Sequence, residues 1–452
     1  MQASELFNQP NTILLDGGMG TMLQAAGMKL GTRPEDLNLE NPELIRSIHA
    51  KYAAAGSRVV NANTFGASPH KLADSKYTLE EVITAGIANC KQAVAPYGAL
   101  VTLDVGPLGE LLEPSGTLAF EDAVAEYGRI VRAGVAAGAD ILYFETFTDL
   151  YEMKAALLAA KENSTLPIMA SMSFEANGRT FTGCTVESFA ATARGLGANA
   201  VGINCSLGPK EIFPMAKRLA EAVPGDFPVF VKPNAGLPRA DGSGYDITPQ
   251  LYAMQMKPYR ELHLFAAGGC CGTTPEFIQM LNGVFADCKP GRPEHPMLSV
   301  ICSPVDCVNV DGITVVGERI NPTGKPRLKR ALRSRDIGLL QQEAVQQAER
   351  GADVLDVNVG LPDIDEEALL PEAVQAVQAV CDLPVQIDTA SPAAMEAALR
   401  RCNGIPLLNS VSGKRESLEK VLPLAKKYGG VVVGLLLDEG GIPETAEGRV
   451  EI

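Results

Sequence analysis

Residues 141–171 read ILYFETFTDLYEMKAALLAAKENSTLPIMAS. The apolar run Ile141–Phe144, an Ala-rich helical stretch and a second apolar run, Ile168–Ser171, make one strand, helix, strand unit. The same alternation extends in both directions, from residue 11 to about 285. The remaining candidate strands are Ile13–Leu15, Arg58–Asn61, Leu100–Leu103, Ala200–Ile203, Val229–Val231 and Leu264–Ala266. Eight strands separated by helices over this length predict an α/β fold of the (β/α)8 TIM-barrel type, with reactive groups where strands end and loops begin. An open doubly wound sheet is the alternative.

The chain has 452 residues, 46% of them apolar, enough for two cores. Its formal net charge of −15, without a large basic cluster, argues against nucleic acid as a partner. No apolar stretch approaches the roughly 20 residues of a membrane span, and MQASELFNQP at the start lacks the pattern of a signal peptide. A cytoplasmic protein without a membrane partner is expected, its ten cysteines mostly reduced and available for metal or packing.

A Pro-rich stretch, KPGRPEHP within Lys289–Asn309, can continue neither a helix nor a central strand and is expected to be a linker. A second βα series follows, with candidate strands Thr314–Gly317, Val354–Val357, Val385–Ile387, Pro406–Leu408 and Val431–Leu437. A parallel sheet ending there would leave a long apolar edge unpaired, so the expectation is a truncated TIM-type barrel of about five of eight βα units. The expected domains are residues 1–288, a linker at 289–309, and 310–452.

Two segments carry the strongest chemical signal: Val201–Gly–Ile–Asn204–Cys205, and Gly268–Gly269–Cys270–Cys271–Gly272–Thr273. Each ends a candidate strand, and strands six and eight of a barrel are separated by one strand, so three thiols can meet at one point. Three thiolates leave one tetrahedral position open, the pattern of a catalytic zinc. Neighbouring side chains on a strand point to opposite faces, so Cys270 and Cys271 can share a metal only if the backbone turns there, which Gly268, Gly269 and Gly272 permit. Ordinary buried thiols are the competing reading, and a vicinal Cys270–Cys271 disulfide is disfavoured by ring strain and a reducing compartment. The other cysteines show no metal spacing; packing is their expected role.

With Asp16–Gly17–Gly18–Met19–Gly20 and Phe144–Glu145–Thr146, these segments resemble the homocysteine-binding domain of cobalamin-dependent methionine synthases, over roughly residues 10–285. The resemblance implies that Cys205, Cys270 and Cys271 hold zinc and act through it, the open position taking the substrate sulfur. It also implies that Asp16 and Glu145 hold the ammonium of homocysteine, with backbone amides around Gly17 and Gly18 near its carboxylate. Bottom-up, an Asp-Gly-Gly turn and a helix cap or loop ion pair explain these residues as well. Asn63–Gly66, Asp104–Pro107 and Lys232–Gly236 end further strands and are candidate substrate loops.

In the second series, Gly317–Gly324 (GERINPTG), Leu355–Asn358, Ile387–Thr389 and Leu408–Ser410 repeat acids and amides at strand ends, groups able to pair with a flat heterocycle. The set resembles the pterin-binding barrel of methyltetrahydrofolate methyltransferases. That implies pterin contacts from Glu318, Asn321, Asp388 and Asn409, and less directly Asp356 and Asn358. Methyltetrahydrofolate is thereby expected as methyl donor, with methylcobalamin carried by a separate corrinoid-binding protein or missing domain. The alternative is a corrinoid-independent homocysteine methyltransferase using betaine or S-methylmethionine. A scaffold with only a structural metal is disfavoured by the missing fourth ligand.

Overall fold

The computed structural model describes residues 2–29, 31–239, 244–294 and 299–452. Eight parallel strands close into a barrel in sequence order: β1 (Ile13–Leu15), β2 (Ser57–Asn61), β3 (Leu100–Val105), β4 (Ile141–Phe147), β5 (Ile168–Met172), β6 (Ala200–Asn204), β7 (Val229–Lys232) and β8 (Ala266–Ala267). Closure rests on β1 pairing with β8, Ile13 opposite Ala266 and Leu14 opposite Ala267, and this sets aside the open doubly wound sheet. Most strands are buried along their whole length, as expected where helices cover one face and the barrel interior the other. Several of the intervening helices begin at side-chain caps the sequence supplies. Thr78 and Glu81 form a capping box on Leu79–Val94, and Asp149 accepts from Tyr151 N–H at 2.8 Å at the head of Leu150–Asn163.

Alternation along the strands decides what the barrel holds. Ile13, Leu15, Val59, Leu100, Ile141, Tyr143, Met169, Ala200 and Phe230 pack together in one buried cluster. Positions two or four residues further on face the same interior, so Asn61, Thr102, Asp104, Glu145, Ser171, Asn204 and Lys232 form a polar floor above the apolar one. It lies at the C-terminal ends of the strands.

The second series forms a five-stranded parallel sheet in the order β11 (Val316–Ile320), β12 (Val354–Val357), β13 (Val385–Asp388), β14 (Leu407–Ser412) and β15 (Val431–Leu435). This sequential order, without a reversal point, is that of a barrel wall rather than of a doubly wound sheet. Preceding it, β9 (Val300–Cys302) and β10 (Cys307–Asn309) make an antiparallel hairpin with Cys302 opposite Cys307. Thus the last part of the stretch expected as linker is ordered structure, because Ile301 is buried with Val354 and Leu407. Residues 289–294 hold no helix or strand, and 295–298 lie outside the described residues. By contacts the chain forms two compact units, Met1–Val186 with Ala198–Pro296, and Glu187–Gly197 with Met297–Ile452. Among the described residues no helix is long and apolar enough to cross a membrane.

Candidate metal and substrate site

Cys205 directly follows β6, and there the backbone leaves the strand: Cys205 and Ser206 both take φ of 63°. A left-handed conformation costs a non-glycine residue roughly 1–2 kcal/mol, so the surroundings must enforce it. Cys205 N–H donates to Lys232 O at 3.0 Å and Leu207 N–H to Cys205 O at 2.8 Å, closing the turn. After β8, Gly269 N–H donates to Asp16 O and Cys270 N–H to Pro233 O, both at 2.9 Å. The loop then reverses through Gly272, at φ 79°.

These two turns bring the sulfurs of Cys205, Cys270 and Cys271 within 4.8 Å of one another, the only metal-competent cluster of its kind among the described residues. Cys205 Sγ and Cys271 Sγ are 3.8 Å apart. Zn–S bonds of about 2.3 Å at a tetrahedral angle place sulfurs about 3.8 Å apart, so the residues fit the ion. The charge state agrees. Hydrogen bonds from Cys270 and Cys271 pull the Cys205 thiol down to about 3, while the Cys205 sulfur pushes Cys271 up to about 11 and holds Cys270 well above its ordinary range. Without a cation the trio thus carries one negative charge; a divalent ion stabilises three.

Two supports hold this arrangement. The Asn204 amide accepts from Thr146 N–H (2.9 Å) and Ser171 Oγ (2.8 Å), donates to Thr146 Oγ1 (2.7 Å), and lies 3.9 Å from Cys270 Sγ. Tyr52 Oη donates to Gly18 O (3.1 Å) and Thr273 O (3.0 Å), tying the Asp-Gly-Gly turn to the cysteine loop. A side chain at Gly17 would meet Thr273 Oγ1 at 2.6 Å and one at Gly18 the Cys270 carbonyl at 2.8 Å, so both glycines are required by close approach. Gly18 N–H is engaged by Thr273 Oγ1 at 3.2 Å.

A cavity of about 310 Å³ opens beside the thiols, lined among others by Asp16, Glu35, Asp104, Glu145 and Lys232. Lys232 Nζ, 3% exposed, reaches Asp16 Oδ1 at 3.1 Å and Glu145 Oε2 at 3.3 Å. Burial works against the Lys232 charge, but the two carboxylates outweigh it and hold the ammonium protonated. Burial raises the carboxyls of Asp16 and Glu145, and Lys232 partly offsets this. Sequence reasoning had placed Asp16 and Glu145 here and Lys232 only among rim loops. Tyr52, and Tyr245 beside Cys271, it missed: Tyr52 belongs to a helix and Tyr245 to a long loop, with no local signal at either.

In the second unit, Asp388 and Asn409 are register partners on β13 and β14, and Asn358 Nδ2 donates to Asp388 Oδ2 at 2.9 Å. Asp388 and Asn409 line one cavity, which does not include Glu318 or Asn321. Glu318 is exposed on β11, and buried Asn321 accepts from Thr323 N–H at 3.0 Å. Asp356 is hydrogen-bonded by Gln386, and burial pushes its carboxyl up to about 7.

Residues 13–285 match the homocysteine S-methyltransferase family model, and residues 317–449 that of the pterin binding enzymes. A methionine synthase of Mycobacterium tuberculosis is 29% identical over 97% of this chain; the chain spans 39% of that relative's length. The homocysteine methyltransferase MmuM of Escherichia coli in its oxidized form superposes with a TM-score of 0.54 at 25% identity, over 62% of this chain and 98% of that one. Its metallated form gives a TM-score of 0.51 at 24% identity, over the same share of each. The closed barrel and the match that spans it lead to one conclusion: the chain belongs to the homocysteine S-methyltransferase family.

Proposed function

We propose that this chain transfers a methyl group to the thiolate of homocysteine, giving methionine, with zinc held by Cys205, Cys270 and Cys271. The observation that carries this reading is the convergence of three sulfurs from two barrel loops beside an acid-lined cavity. Zinc, when bound, supplies the charge that keeps a substrate thiol ionised at neutral pH. The chain does the rest. Asn204 fixes Cys270, Lys232 keeps Asp16 and Glu145 in place at the ammonium end of the substrate, and the Gly17–Gly18 turn faces its carboxylate. The methyl acceptor is then a sulfur held beside three half-buried thiols at the barrel mouth.

Methyltetrahydrofolate is the proposed upstream donor, through a cobalamin carrier not among these residues, and a corrinoid-binding protein or domain is the partner. The match of residues 317–449 to pterin binding enzymes favours this, with Asp388 and Asn409 the best-placed contacts and Glu318 and Asn321 assigned by resemblance. Residues 1–288 are the homocysteine domain and 310–452 the pterin portion, in a cytoplasmic protein whose thiols stay reduced. Likeness to a homocysteine methyltransferase that the barrel covers nearly end to end supports a second reading, direct transfer from betaine or S-methylmethionine.

Metal content decides the first step. About one zinc per chain in the wild type, lost in Cys205→Ser, together with a proton released on adding homocysteine, is the expected result. A metal-free protein under reducing, chelator-free conditions overturns it. Turnover with S-methylmethionine or betaine in the absence of any corrinoid selects the second reading.

A further inference from the structure

Away from the barrel, two further thiols stand face to face. Cys302 and Cys307 are register partners on the antiparallel strands β9 and β10, and both are free thiols in this structure. The backbone hydrogen bonds fix which kind of pair they make. Ser303 N–H donates to Asp306 O at 3.0 Å, and further from the turn Val310 N–H donates to Ser299 O at 2.9 Å. Cys302 instead turns its backbone away from β10: its N–H donates to Ile405 O and its carbonyl accepts from Ile405 N–H, both at 2.9 Å. Cys302 and Cys307 are therefore a non-hydrogen-bonded pair, the kind whose Cα atoms lie about 4.5 Å apart with side chains closest. A disulfide spans Cα separations of roughly 4.4–6.8 Å, so the bond can close without moving either strand.

The surroundings aim the sulfurs and decide which one reacts first. Cys302 Sγ lies 3.5 Å from Thr192 Oγ1 and Cys307 Sγ 3.4 Å from Ser188 Oγ, both hydroxyls belonging to the segment Glu187–Gly197 of the same compact unit. Cys302 is 1% exposed and Cys307 half-buried, so a reagent from solvent meets Cys307 first. The Cys302 sulfur, in hydrogen-bonding contact, and burial hold the Cys307 thiol protonated, well above its ordinary range. Its exchange is accordingly slow.

We propose that Cys302 and Cys307 form a reversible disulfide that staples β9 to β10, with a low-molecular-weight disulfide as co-reactant. The Cys307 thiolate attacks one sulfur of that disulfide and releases a small thiol, leaving a mixed disulfide on Cys307. Cys302 Sγ then attacks the Cys307 sulfur and releases the second small thiol. The protons of the two protein thiols end on the two released thiols; the protein pair loses two electrons and the small disulfide gains them. The staple acts at the base of the second sheet. Cys302 is bonded to Ile405, just ahead of β14, and Ile301 packs with Val354 and Leu407, the first residues of β12 and β14. Asp388 and Asn409 stand at the other ends of their strands, so closing the bond tightens the sheet away from their cavity.

The test uses the full chain, reduced, supplied with zinc and incubated overnight with excess oxidised glutathione before the remaining thiols are alkylated. Cleavage on the N-terminal side of aspartates cuts ahead of Asp306 and parts Cys302 from Cys307. Mass spectrometry should find peptides 287–305 and 306–310 as one linked species, separated by dithiothreitol. Cys288 shares the first peptide, so Cys302→Ser should abolish the linkage and Cys288→Ser should not. Cys302→Ala stands in if serine is not tolerated at this buried position. Amide hydrogen exchange of residues 300–310 should slow by about tenfold in the linked form, as expected when local opening is suppressed. Cys307 recovered alkylated, or carrying glutathione while Cys302 is alkylated, overturns the proposal. So does a linkage that survives loss of Cys302, or exchange unchanged by the bond.

Discussion

Glu152 shows how a single buried carboxyl sets a pH dependence away from the thiols. It is 4% exposed, and its Oε1 accepts from Leu108 N–H at 2.7 Å and Tyr127 Oη at 2.9 Å. Burial pushes its carboxyl up to about 7, against an ordinary value of 4.5. The folded state therefore binds the proton more tightly than the unfolded chain, and stability falls as pH rises from about 4.5 through 7. Glu152→Gln keeps an acceptor for both donors and removes the charge. It should stabilise the protein at pH 8 by on the order of 1–3 kcal/mol and have little effect at pH 4.5. Chemical denaturation at the two pH values measures this; an equal effect at both would remove ionisation as the cause. At this scale the sequence named the three cysteines, Asp16 and Glu145. It did not give Glu152 a role, because a glutamate inside an Ala-rich helix looks like any solvated one until the helix is packed.

Among the elements, the two loops that end β6 and β8 carry the site, and each depends on a left-handed turn. Gly272 has φ 79°, and a Cβ there would lie 2.3 Å from the Tyr245 ring. Gly272→Ala should cost roughly 1–2 kcal/mol from backbone strain alone, and the displaced loop should lose the proposed zinc although none of the three cysteines is altered. Metal content and thermal unfolding of the variant measure both effects. Retention of stoichiometric zinc would show that the loop tolerates another path. The glycines flanking Cys270 and Cys271 were legible as a backbone that must turn. The strained Cys205–Ser206 turn was not, since neither residue type signals positive φ; the strand pairing beneath it and the Lys232 carbonyl impose it. On the second sheet the strand-end acids and amides were equally visible, yet only some of them share a cavity.

For the whole molecule, every proposed zinc ligand and every acid lining the proposed homocysteine cavity lies within residues 13–285, and the barrel closes through its own β1–β8 pairing. Residues 1–288 expressed alone should therefore retain about one zinc and bind homocysteine with an affinity within a few fold of the full chain. Loss of metal from the soluble fragment would show that the site depends on residues further along. The sequence by itself determined the βα repetition, the number of barrel strands, the second series of five and the identity of the thiols, because periodicity and strand-end residue types are local properties. It placed strand ends within a few residues, as with Thr314–Gly317 expected where Val316–Ile320 forms. It took residues 300–309 for linker, since a three-residue strand acquires its meaning only when Ile301 meets Val354 and Leu407. Tertiary structure alone decided that the sheet closes and that Lys232 sits between Asp16 and Glu145. Those facts depend on which side chains converge from strands far apart in the chain, and convergence is set by register and closure rather than by any single stretch of sequence.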